Sequence, residues 1–197
     1  GDGAGRASYA HQPAKLAAME AHWETNAEGK GAPWHMMAWP QQDKQRNLWE
    51  INIPYVLSVL ITHSPTGTVT GMKEFPPEDQ PPVWPPFIAF RIMLLLGFWF
   101  FFLMLRTVWI WYRGGLTATI ISDRKWLLYS WIISLPASYV AMEAGWIVRE
   151  VGRQPWTIYG LVRTDHSASQ LPLPAVEASL LFFVAMYSVL FILFLVF

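Results

Sequence analysis

Ile92-Met93-Leu94-Leu95-Leu96-Gly97-Phe98-Trp99-Phe100-Phe101-Phe102-Leu103-Met104-Leu105 carries no charged side chain. A helix that is apolar on every side has no face to turn toward water. With its flanks the run covers residues 87–108, roughly 33 Å at 1.5 Å per residue, enough to cross a bilayer's hydrocarbon. The pattern recurs over 126–148, where Pro136 predicts a kink, and over 176–197. Continuous rather than alternating apolar runs predict helices, not barrel strands. Trp84, Trp109, Trp111, Trp126 and Trp156 fall near the ends of these spans, where interfacial aromatics gather. The expected fold class is an all-α integral membrane protein, a transmembrane helix bundle with three spans and a long extramembrane loop.

Composition agrees. Aromatic residues are abundant, and charged residues make up 14% of the chain, well below the usual quarter. The formal net charge of +0 gives no sign of a nucleic-acid partner. With Cys 0, thiolate-held iron–sulfur clusters, a cysteine-ligated copper centre and covalently attached c-type haem are excluded. Gly1 is not an initiator Met, and Phe197 closes an apolar run without a polar flank. Both ends predict an internal piece of a longer polypeptide.

Working back from the first span, residues 1–83 are polar and rich in Pro and Gly. The most apolar stretch there, 51–62, holds about twelve residues against the roughly twenty a span needs, and it contains Pro54. Pro76, Pro77, Pro81, Pro82, Pro85 and Pro86 predict an extended, stiff approach to the membrane. A polar segment this long is a soluble lobe or a functional loop. The division is therefore 1–83 as an extramembrane loop and 84–197 as the membrane region. The loop between the first two spans carries Arg106, Arg113, Arg124 and Lys125 against Asp123. The next carries Arg149, Arg153 and Arg163 against Glu150 and Asp165. The first is more basic and is expected in the cytoplasm, placing residues 1–83 and 149–175 on the outer face.

Three groups of residues exceed what a structural bundle requires. Arg91 and Met93 open the first span. Arg91 either snorkels to headgroups or is a charge with a role beyond the bundle's structure, and Met93 is either packing or a soft thioether ligand for haem iron. Glu143, Trp146, Glu150 and Arg153 follow steps of 3, 4 and 3 at the end of the second span. That spacing puts them on one stripe if the helix holds to Gly152, and two carboxylates and an arginine are costly against lipid. The stripe faces the bundle interior or a cofactor, or else it is an interfacial ion pair. Lastly, Gln12 to Glu24 reads as a loop helix with Pro13 in its first turn. Lys15 and Glu20 lie about 140° apart around its axis, too far for a surface pair. They flank a ligand, or the helix is simply amphipathic and solvated. No histidine lies within a span, so any histidine ligand for a haem comes from outside this chain.

Several of these segments resemble subunit I of the cytochrome bd-type quinol oxidases. They are Gly1-Asp2-Gly3-Ala4-Gly5, then Gln12-Pro13-Ala14-Lys15-Leu16-Ala17-Ala18-Met19-Glu20, then Ile53-Pro54-Tyr55. Phe90-Arg91-Ile92-Met93 follows, and then Gly145-Trp146 leading to Glu150-Val151-Gly152-Arg153-Gln154-Pro155-Trp156. They come in the family's order and spacing. Residues 12–23, with a short loop after them, resemble the cyanide-insensitive branch. The resemblance implies a bacterial inner-membrane terminal oxidase that oxidises quinol on the outer side and reduces oxygen to water. It implies a low-spin haem b, a high-spin haem b, and a haem d or a further haem b. It assigns Lys15 and Glu20 to quinol oxidation, Met93 to axial ligation of the low-spin haem iron and Arg91 to support of that haem. Glu150 corresponds to a carboxylate ligand of haem iron in the high-spin pair, with Trp146 and Arg153 beside it. The expected partners are quinol, oxygen, membrane lipid, further helices of the same subunit and a second oxidase subunit. The competing expectation is a transporter or channel segment, in which Glu143, Glu150 and Arg153 line a path.

Overall fold

The structure is a computed structural model that describes residues 2–114, 116–117, 124–167, 169 and 171–196. Asp123, Gly1 and Phe197, each used in the sequence expectations, lie outside the described residues. The chain divides into two compact units, Gly1–Thr164 and Asp165–Phe197.

The first unit opens with α1 (Asp2–His11) and α2 (Pro13–Met19). Pro13 begins α2, as its missing N–H allows. The helix stops at Met19, well short of the expected Glu24: Glu20 caps it, and Ala21 takes φ 48. It is not a solvated helix. Leu16 and Met19 enter one apolar cluster with Leu57, Val69, Ala144 and Val148. Ala17 and Ala18 enter a second with Trp23, Met72, Val83 and Phe87. Small alanines on α2 let it lie between these two clusters.

An antiparallel hairpin follows, β1 (Trp34–Gln41) and β2 (Arg46–Ile53), with Met37 opposite Ile51 and Ala38 opposite Glu50. The helical expectation contained no such element. Both strands are edges, which is why Pro40 is tolerated within β1. Helix α3 (Val56–Thr62) takes up the rest of the 51–62 apolar stretch. The proline-rich approach turns rather than extends, through 3-10 turns at Met72–Glu74 and Pro77–Asp79.

Helix α4 (Trp84–Gly114) starts three residues before the expected span, with Pro85 and Pro86 in its first turn. Helix α5 (Lys125–Val151) runs back along it and contains Pro136. Apolar contact through Leu103, Ile110 and Leu127 joins the two. Two indoles tie them further: Trp99 Nε1 donates to Ser134 Oγ at 3.1 Å, and Trp131 Nε1 to Thr107 Oγ1 at 3.1 Å. A short hairpin, β3 (Trp156–Ile158) and β4 (Val162–Arg163), ends this unit, followed by a single helical turn, α6 (Thr164–Ser167).

The second unit contains α7 (Leu173–Val196), whose described residues are all exposed within the chain. Helices α4, α5 and α7 are each long and apolar enough to cross a membrane.

Candidate functional site

The turn that ends α2 places Glu20 inside the protein. Its carboxylate meets Arg91 of α4, with Nη2 to Oε2 at 2.7 Å, and both side chains are nearly fully buried. Arg91 also donates to the His35 carbonyl from Nε at 2.9 Å and from Nη2 at 2.5 Å. The Trp34, Phe87 and Phe90 rings surround its guanidinium at 5.1, 4.6 and 5.2 Å. Arg91 therefore does not snorkel; it is clamped by a carboxylate, a carbonyl and three aromatic faces. Burial pushes the Glu20 carboxyl above its ordinary range, opposed by Arg91 and by a hydrogen bond from Trp34.

Two histidines complete this node. His35 Nδ1 lies 3.0 Å from the Glu20 carbonyl oxygen, and its Nε2 lies 3.1 Å from Glu50 Oε2 on β2. His22 Nε2 lies 3.3 Å from the Val69 carbonyl oxygen. Burial lowers the His22 ring to about 4, with His35 adding to the fall and Val69 and Glu50 opposing it. His35, Trp34 and Glu50 were not singled out from sequence. Their roles depend on a bulged hairpin folding back over α2, and no local periodicity marks that.

Beside the Glu20–Arg91 pair is a cavity of about 600 Å³ whose walls include Lys15, Glu20, Phe90, Met93, Gly145 and Arg149. Lys15 is half-buried and packs over the end of α5, where a Cβ at Gly152 would stand 3.2 Å from its Cγ. Its pKa is lowered, first by burial and then by Arg149 and Arg153, while Glu150 opposes. The Met93 thioether reaches toward α5, where a Cβ added to Gly145 would come within 3.4 Å of Sδ. The structure thus brings Lys15, Glu20, Arg91 and Met93 into one neighbourhood, from two stretches some seventy residues apart in the chain.

The α5 stripe forms a separate group. Helix α5 holds to Val151, with Gly152 as its cap, so Arg153 sits in the turn that follows. From there its Nη2 still reaches Glu150 Oε2 at 2.5 Å, and Arg149 Nε approaches Glu150 Oε1 at 3.7 Å. Glu143 and Trp146 are exposed on the same side. At about 100° per residue this stripe is turned roughly 160° from Gly145 and Val148, which face the cavity. One helix therefore presents two chemically different faces, and along the stripe Glu143 and Trp146 are exposed while Glu150 and Arg153 are half-buried. Among the described residues, two buried guanidinium nitrogens, Arg91 Nη1 and Arg153 Nε, find no hydrogen-bond partner.

Comparison with known proteins gives a consistent result. A family model described as cytochrome bd terminal oxidase subunit I matches residues 1–197. Cytochrome bd ubiquinol oxidase subunit 1 of Bacillus subtilis (strain 168) is 35% identical over 190 residues, which cover 91% of this chain and 38% of that protein. Cytochrome bd-II ubiquinol oxidase subunit 1 of Escherichia coli (strain K12) is 29% identical over 246 residues, covering 92% of this chain and 46% of that protein. The structure of bd oxidase from Geobacillus thermodenitrificans aligns with a TM-score of 0.75 at 31% identity, over 97% of this chain and 42% of that one. The chain spans less than half the length of each relative. These matches do not favour the transporter or channel alternative.

Proposed function

The chain belongs to the cytochrome bd terminal oxidase subunit I family, and from that premise we propose that it forms the quinol-oxidising and part of the haem-holding region of a terminal oxidase. The observation that carries this reading is the cavity joining Lys15, Glu20 and Met93 beside the clamped Arg91.

The residues present suit haem. The cavity is mostly apolar, it offers the soft thioethers of Met19 and Met93, and it adjoins Lys15 and Arg149. The unsatisfied Arg91 Nη1 and Arg153 Nε are donors suited to carboxylate groups such as haem propionates. Met93 would hold the low-spin haem b iron and Arg91 would support it. Glu150 would hold iron in the high-spin pair, a haem b with a haem d or a further haem b, with Trp146 and Arg153 alongside. Bound haem supplies the electron transfer and the oxygen chemistry. The chain's own residues do the rest. Glu20, its carboxyl pushed upward by burial, can hold a proton released by quinol. Lys15, half-buried at the cavity wall, can donate a hydrogen bond to the quinol oxygen. Arg91 keeps Glu20 aimed at the cavity.

The whole oxidase would take quinol and oxygen as substrates. It would include further helices of this subunit and a second subunit, and sit in the bacterial inner membrane with residues 1–83 on the outer face. A cysteine introduced at Ser64 should then react with an impermeant reagent from outside the cell; protection there with labelling from inside would invert the orientation. For the haem assignment the test is Met93→Leu in the full-length protein. The volumes are similar, so packing survives. The low-spin haem should move toward high spin in the visible spectrum. A low-spin spectrum identical to the parent would return Met93 to packing alone.

A further inference from the structure

We propose that the α4–α5 end opposite Met93 is a binding site for the phosphate headgroup of an anionic phospholipid. Arg106 and Arg113 of α4 and Arg124 at the start of α5 line one cavity of about 380 Å³, together with Trp109, Ile110 and Gly114. Positions 106, 110 and 113 follow helical spacing and share one face of α4. Ile110 is buried against Leu127 of α5, so this face is turned toward the partner helix. The three guanidiniums are therefore brought together by the packing of two helices, rather than scattered around one. None of the described lining residues is acidic, and among the described residues none of the three makes an ion pair.

Aromatic rings hold two of these arginines in place. Arg113 Cζ lies 5.0 Å from the Trp109 ring, and Arg106 Cζ lies 5.9 Å from that of Trp126. Stacking on a ring face occupies the flat side of a guanidinium and leaves its N–H edge available to a planar pair of oxygens. Arg124 stands at the N-cap of α5 without a side-chain cap bond. The first N–H groups of a 27-residue helix thus add positive potential at the same place.

The source of the phosphate follows from depth. Helix α4 has 31 residues. At 1.5 Å per residue that is about 46 Å, against about 30 Å of hydrocarbon, so its final turns stand in the headgroup layer. Trp109, Trp111 and Trp126 mark that level. A basic pocket between spanning helices, with no carboxylate among its described lining residues, fits a lipid phosphate. It lies at the far end of α4 from Arg91 and Met93, and so on the other side of the bilayer from the quinol region.

The alternative is a generic basic rim that any anionic surface would satisfy. Arginine and lysine separate the two. The full-length oxidase is purified in detergent, delipidated, and titrated with phosphatidylglycerol or phosphatidylcholine under native mass spectrometry, with inorganic phosphate as competitor. One phosphatidylglycerol should stay bound where phosphatidylcholine does not, and millimolar phosphate should not displace it. The triple variant Arg106→Lys, Arg113→Lys, Arg124→Lys keeps the charge and the topology but loses the fork geometry, and should weaken that lipid about tenfold. The haem spectrum of the variant should equal the parent's, which controls for folding. Unchanged lipid affinity in the lysine variant would reduce the site to surface charge. Displacement by phosphate would make it a soluble-anion site, and equal binding of phosphatidylcholine, which carries a phosphate but no net charge, would remove the selectivity for an anionic headgroup. Each of these results overturns the proposal.

Discussion

Removing either partner of the Glu20–Arg91 pair should have unequal consequences, because one partner can discharge itself and the other cannot. At 2.7 Å, with side chains 5% and 9% exposed, the pair is held away from water. Stranding one member of such a pair costs roughly 3–5 kcal/mol. In Glu20→Leu the stranded group is arginine, which stays charged at any working pH, so the cost is flat with pH. In Arg91→Met the stranded group is a carboxyl whose ordinary pKa is 4.5. It escapes by taking up a proton, at about 1.4 kcal/mol per pH unit above that value, which is about 3.4 kcal/mol at pH 7 and about 1.4 at pH 5.5. The sign follows from linkage: the folded form of this variant binds a proton that the opened form releases, so its stability falls as pH rises above 4.5. Arg91→Met also loses two hydrogen bonds to the His35 carbonyl, a loss that does not depend on pH. The double variant Glu20→Leu, Arg91→Met strands no charge and should recover about 3 kcal/mol relative to the sum of the two single losses. Hydrogen exchange of residues 14–23 and 34–38 in the full-length protein, in lipid nanodiscs from pH 5.5 to 8, reads the local opening free energy. Two single variants with the same flat pH response, and a double variant equal to their sum within about 0.5 kcal/mol, would refute a coupled buried pair.

His22 should act as an acid-sensitive latch on the same lobe. Its ring is lowered from 6.5 to about 4, so the stabilisation is fully present above pH 6.5 and is lost as pH falls toward 4, by about 3 kcal/mol in all. His22→Gln should flatten that slope in exchange measurements on residues 69–73; an unchanged slope would assign the acid response to another group. Glu150→Ala should disturb the high-spin haems and oxygen uptake while sparing the low-spin spectrum. Glu143, roughly 10 Å away along the helix, cannot reach the same iron, and Glu143→Ala should keep the haems and slow turnover. Haem content, spectra and oxygen uptake in isolated membranes check both variants. Full haem and normal uptake in Glu150→Ala would leave the stripe as an interfacial ion pair.

The spans were legible because transfer into hydrocarbon depends on local composition. Ile92–Leu105 has one favourable medium whatever surrounds it, and α4, which runs from Trp84 to Gly114, encloses that run with about two further turns at each end. The Glu150–Arg153 contact was legible for a similar reason: neighbours three apart meet through local geometry, even with Arg153 just beyond the helix. Spacing also separated Lys15 from Glu20 around their helix. Whether that helix was solvated or buried was not decided by its own residues, since Ala, Leu and Met suit both situations.

The sequence by itself therefore determined which segments are long and apolar enough to cross a membrane and which residues share a helix face, and it singled out Arg91, Glu20 and Met93 as candidates for roles beyond packing. Only the tertiary structure decided that Arg91 and Glu20 explain one another. They are 71 residues apart, and their pairing requires α2 to end at Met19 and β1 to bring the His35 carbonyl beside Arg91. The same holds for Lys15, whose environment is set by Gly152 and Arg149 at the far end of α5. Burial of a charge is a property of everything packed around it. The energy that fixes these contacts is shared among α2, the β1–β2 hairpin, α4 and α5, and no window of sequence holds enough of it to be read.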